Sequence, residues 1–253
     1  MKKILLALLM STSLFAATPE QVEAYLSISN ADEQLVELEQ EFSRMQNNLN
    51  SISQDQEEVE NYDMQLLSIR FKEYLQKHLS DDEMDAILKA YRNVLLLQFT
   101  SAVAESQSIS DETLDAYIKE LTSDPQMEAR IKLVEKISKE MYDKSSMAVM
   151  YDSLMKPLLT HAPGGDQIDE KILTKNREAY IKHMEEEMRR ETLYATRDFS
   201  MEELVSLEEI AKLPVIHKET KVVFGATAYA LEEFFLSLAS RYDIKKHQTE
   251  QTE

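Results

Sequence analysis

From Glu20 to Asp124 the chain contains neither glycine nor proline, and all 253 residues include only three glycines and five prolines. β architectures turn at residues of these two kinds, so a stretch this long without them points to helix throughout. The expected fold is all-α, and the spacing of apolar residues agrees. Leu35, Leu38, Phe42, Met45, Leu49 and Ile52 recur in steps of three and four, an apolar seam along one helix that starts after Asn30, with Glu33 completing an Asn-x-x-Glu cap. Val59, Tyr62, Leu66 and Ile69 continue the spacing on a second helix running to about His78, antiparallel to the first.

Helix starts are written into the chain more than once. Tyr74-Leu-Gln-Lys-His-Leu-Ser-Asp-Asp-Glu-Met recurs 120 residues later as Tyr194-Ala-Thr-Arg-Asp-Phe-Ser-Met-Glu-Glu-Leu. Each copy closes one helix and opens another with Ser-x-x-Glu, in which hydroxyl and carboxylate bond the free amides of the first turn reciprocally. Ser110-Asp-Glu-Thr opens a further helix with acidic residues where the helix dipole is positive, and Asp124-Pro125 is a cap followed by proline at the first helical position. Leu204, Leu207 and Ile210 mark a short helix closed by Pro214, and Val222 to Leu238 the last one.

The repeated phrase and the order of elements around it divide the chain. Residues 1–16 are expected to be a signal peptide: Lys2 and Lys3 precede an apolar run and then small residues at Ala16 and Ala17. Residues 17–125 form a first helical repeat and residues 126–243 a second, with a loop at 160–167 where turn formers cluster; 244–253 form a disordered tail. The architecture expected is an antiparallel helical bundle built from two related helical halves.

The segments quoted above resemble those of a family of secreted bacterial helical proteins, the domain of unknown function 2059 family. The likeness is carried by Tyr25-Leu-Ser-Ile-Ser-Asn-Ala-Asp-Glu-Gln-Leu and by Phe199-Ser-Met-Glu-Glu-Leu-Val-Ser-Leu followed by Leu213-Pro-Val. Leu79-Ser-Asp-Asp-Glu-Met repeats the second element, with Asn93-Val94 where the family pattern has proline, and Pro214 is not followed by glycine. The resemblance implies a secreted all-helical protein and carries over no reaction and no catalytic residue.

Charge and composition exclude some classes. With 28 Lys and Arg against 47 Asp and Glu, a formal net charge of −19, the surface repels phosphate, so no nucleic-acid partner is expected. No stable membrane insertion is expected once the signal is cleaved, since Glu232 and Glu233 interrupt the most apolar helix. The absence of cysteine excludes both disulfides and a lipid-modified cysteine, and with the expected signal peptide at residues 1–16 a periplasmic location is expected.

Catalytic signatures are missing: no His-Glu-x-x-His, no Glu-x-x-His, no Gly-x-Ser-x-Gly and no glycine-rich phosphate loop. No catalytic residue and no cofactor is assigned. Candidate metal ligands are Met147 and Met150, one turn apart and suited to copper, and His183 with Glu187, suited to zinc once another helix completes the set. The plainer reading of the former pair is a Met-rich packing face, ahead of an adaptable client-binding surface or copper, and that of the latter a solvated charged face. The expected function is non-enzymatic protein binding or chaperone-like action on another envelope protein or an unfolded client. The alternative is a metal-binding protein or enzyme with its site between the two halves.

Overall fold

The computed structural model describes residues 16–52, 62–162 and 165–239; the expected signal peptide up to residue 15 and the tail 244–253 lie outside them. The described residues are all-α, without a strand, and their single isolated bridge joins Ala16 to Ser80. In chain order the helices are α1 (Pro19–Ser29), α2 (Ala31–Ile52), α3 (Gln65–His78), α4 (Asp81–Ala90), α5 (Val94–Gln107) and α6 (Asp111–Ser123). They continue with α7 (Glu128–Met141), α8 (Lys144–Met150), α9 (Lys156–His161), α10 (Glu170–Ala195), α11 (Met201–Ala211) and α12 (Pro214–Ala239). No helix among the described residues is long and apolar enough to cross a membrane.

Both copies of the repeated phrase are capping boxes. Ser80 N–H donates to Glu83 Oε2 at 2.9 Å and Glu83 N–H to Ser80 Oγ at 3.2 Å; for Ser200 and Glu203 the same bonds measure 2.7 and 3.2 Å. Two amides that the first turn leaves unpaired are thereby satisfied at each site. The hydrophobic positions that follow, Met84 and Ile87 in α4 and Leu204 and Leu207 in α11, are fully buried. The carbonyl just before each serine is also held: Leu79 O accepts from Ala17 N–H at 2.9 Å, and Phe199 O from Arg130 Nη1 at 2.7 Å.

Three details differ from the sequence expectation. Helix α2 starts after Asn30 as expected, with Gln34 N–H donating to Asn30 O at 3.3 Å, but Glu33 N–H donates to Asp32 Oδ1 and not to the Asn30 side chain. Asn30 also closes α1 in the left-handed conformation (φ 59°), which asparagine tolerates better than most residues. Pro214 opens α12 instead of only closing α11, because its missing N–H costs nothing at a first helical position. Helix α3 begins at Gln65 and buries Leu67, Phe71 and Leu75, whereas Ile69 is 50% exposed. The face that won is the one α12 can approach closely: Gly225, Ala226, Ala228 and Ala230 lie along α12, and a Cβ at Gly225 would come within 2.5 Å of Tyr74 Oη.

The long helices lock distant parts of the chain together. Helix α12 packs chiefly on α3, then on α8 and α9, and also on α4, while α5 packs on α10 and α11; α1 lies on α4 and α7 on α11. A continuous apolar core runs from Ala17 to Phe234, across residue 125, with Phe42 of α2 meeting Phe234 edge-on at 4.9 Å.

Candidate functional site

Where α1, α5, α7, α10 and α12 converge, the core opens into a cavity of about 330 Å³. Two of its walls are built from matching positions. Leu96 and Ile216, Phe99 and Glu219, Thr100 and Thr220, Val103 and Val223, Gln107 and Thr227 all line it, each pair separated by the offset that relates Ser80 to Ser200. Four pairs keep their character closely enough to make similar walls. At the fifth, α5 supplies a phenyl ring and α12 a carboxylate.

Glu219 is 7% exposed, and it is held by two tyrosines from the opposite side. Tyr25 of α1 donates to Glu219 Oε1 at 2.9 Å, and Tyr91, at the end of α4, donates to the same oxygen at 2.6 Å. The two rings meet edge-on, 6.0 Å between centroids. Oε2 receives no hydrogen bond from any described residue, although the side chain lines the cavity. Burial pushes the Glu219 carboxyl up to about 7, against the opposing effect of the two phenols. Because Oε1 already accepts two O–H bonds, the proton of the neutral form sits on Oε2. The cavity therefore meets a hydrogen-bond donor when Glu219 is neutral and an acceptor when it is ionised.

A second carboxylate lines the same space. Glu191 of α10 accepts no hydrogen bond from the described residues, and burial, reinforced by the Glu187 charge and opposed by Arg190, pushes it up to about 7. Tyr142, which follows α7, also lines the cavity, and its phenol is raised by burial and by Glu191 and Glu219. Met141, Met150 and Met188 complete an adaptable apolar lining.

A charged cleft of about 900 Å³ lies on the other side of Tyr142, lined among others by Met147, Glu135, Arg189, Lys144 and Glu185. Several of its charges are paired, among them Arg189 with Glu135 at 3.0 Å and Lys144 with Glu185 at 3.1 Å.

The four metal candidates do not share one place. Met147 lines the charged cleft and Met150 the inner cavity. His183 is exposed, and Arg190 Nη1 donates to Glu187 Oε1 at 2.7 Å and to Oε2 at 3.0 Å. Among the described residues no group of three or more His, Cys, Asp or Glu side chains could hold a metal ion. Sequence reading passed over Glu219 and Glu191, because single carboxylates carry no motif. The available signal was positional, an acidic residue between Ile216 and Val223 at the place that Phe99 occupies 120 residues earlier.

Fold and site together define an all-α protein with a partly open, largely apolar cavity marked by two carboxylates. No protein-family model, curated protein or solved structure matches the chain.

Proposed function

We propose that this chain is a non-enzymatic binding protein that takes a small, largely apolar molecule into the cavity between α5 and α12. One observation carries the reading: a buried carboxylate on the wall of a largely apolar, partly open cavity spends one oxygen on two tyrosines and has no hydrogen bond from any described residue on the other. Such a space, with few convergent polar groups of perturbed acidity, has the usual character of a ligand site. The reading keeps the expected envelope location, which rests on the sequence of residues 1–16, and the proposed membership of the domain of unknown function 2059 family, which rests on the residues quoted for it.

The two-halves architecture belongs to the same proposal. It is supported by reciprocal packing, α12 on α3 and α4 against α5 on α10 and α11, and by the matched cavity walls. A ligand site at the meeting of the two repeats follows from it.

The experiment is titration of the purified chain with a neutral apolar fluorophore such as N-phenyl-naphthylamine. Saturable binding at one site, abolished when Thr220→Trp fills the cavity in a variant of unchanged melting temperature, is the expected result. No saturable binding, or binding indifferent to Thr220→Trp, would overturn it.

A protein partner, another envelope protein or an unfolded client, is the second reading. It is favoured by Met201, Val205 and Leu213, which stand 44%, 51% and 42% exposed on and just after α11. Crosslinking from Val205 tests it, and the absence of a reproducible adduct would count against it.

A further inference from the structure

Resting on the reading of this cavity as a binding site, we propose that its ligand is an organic cation, an ammonium group joined to an apolar tail. Among the described residues the cavity is lined by two carboxylates and by no lysine, arginine or histidine. Glu219 keeps Oε2 free, and neither oxygen of Glu191 accepts a hydrogen bond from the described residues. Arg190, whose charge acts on Glu191, is already engaged: it binds Glu187 and reaches Asp115 at 2.7 Å. Neither carboxylate is ion-paired among the described residues, and burial pushes both up to about 7.

A buried carboxylate without a partner is a cost that a cation in the same space removes. An anionic ligand would add a third negative group to two already present, and a neutral one would leave the charges uncompensated. The rest of the wall suits the same choice. Tyr25, Tyr91, Tyr142, Phe99 and Phe224 present aromatic rings, whose faces attract ammonium groups most strongly where water is excluded. The methionines and the aliphatic residues of α5 and α12 supply room for the tail.

Three probes with one tail separate charge from apolarity: n-octylammonium, n-octanol and octanoate, measured by isothermal titration calorimetry on the full chain at about pH 8, where both carboxylates are mainly ionised. The proposal expects octylammonium to bind about tenfold or more tighter than octanol, and octanoate weakest. Glu219→Gln keeps the shape and an acceptor for both tyrosines, and it should erase most of that preference, bringing the octylammonium and octanol affinities to within about twofold of each other. Glu191→Gln, whose carboxylate makes no protein hydrogen bond to lose, gives the same test should the first variant fail to fold.

Equal binding of octylammonium and octanol, or a preference that survives both substitutions, would overturn the cation while leaving the apolar site standing. Tighter binding of octanoate would do the same. If none of the three bound, the cavity reading itself would fall.

Discussion

Tyr25 and Glu219, 194 residues apart in the chain, meet inside the core with 2.9 Å between the phenolic oxygen and Oε1. Tyr91 closes on the same oxygen from a third element, so α1, α4 and α12 are tied through one carboxyl group. Two donors on one oxygen fix the side chain and leave its second oxygen pointing out of the tie. The arrangement orients a reactive group without neutralising it.

Stability should fall as pH rises through the window set by this group. Glu219 ionises near 7 in the folded chain against an ordinary value of 4.5, so between those values the unfolded chain releases a proton that the folded chain keeps. The folded state is therefore favoured below about 4.5 and progressively loses that advantage up to 7, by roughly 3 kcal/mol for a shift of this size. Glu191 acts in the same direction. Denaturant unfolding of the wild type and of Glu219→Gln, compared at each pH, isolates the effect: the variant should gain stability relative to wild type above neutrality and match it in acid. A difference that stays flat with pH would contradict the assignment.

Tyr91→Phe should destabilise the fold by about 1–3 kcal/mol, the cost of withdrawing a buried donor from a polar group that stays behind. Both phenols lower the Glu219 carboxyl, so removing one should raise it further. Carbon-detected NMR titration of the Glu219 carboxyl reads the shift, and movement to lower pH would show that the hydrogen bond had been misassigned.

Helix content and helix starts were legible because they depend on local chemistry. Ser80, Ser200 and Asp124 occupy the capping positions expected of them, since a cap needs only its own next few residues. Which face of α3 is buried was not legible. Ile69 and Phe71 are equally apolar, and the choice between them was made by the small residues of α12, some 150 positions away. The cavity was illegible for the same reason. Glu219 is one of 47 acidic residues, and nothing within its own helix distinguishes it from those that face water. The contacts from Tyr25 and Tyr91 do so, and in the sequence only its match to the position of Phe99 hints at it.

Ser80→Ala and Ser200→Ala should each cost about 1 kcal/mol, read as a lowered melting temperature, and leave cavity binding unchanged. Ser80 should be the costlier of the two. It is 9% exposed, carries the bridge to Ala16 and has its carboxylate partner Glu83 paired with Lys218 of α12 at 3.2 Å, whereas Ser200 is open to solvent. Loss of binding at full stability would give these serines a role beyond capping.

Arg130→Ala should lower stability by about 1–3 kcal/mol. Its guanidinium donates to the carbonyls of Thr196, Arg197 and Phe199, the turn between α10 and α11, and alanine would leave all three without that donor. Arg130→Lys should recover less than half of the loss, because an ammonium cannot span the three acceptors as a planar fork does. Full rescue by lysine would mean that charge, not the shape of the donor, holds the turn.

Helix α12 covers Leu67, Phe71 and Leu75 of α3, and α5 lies against α10 and α11, so each long stretch of chain finishes its core with a helix borrowed from the other. A cut at Asp124–Pro125 would yield two fragments that both lack a wall. Neither should hold its fold alone, and mixing them should restore what separation removed. The intact chain should accordingly melt in one step, with no intermediate in which one part survives the other.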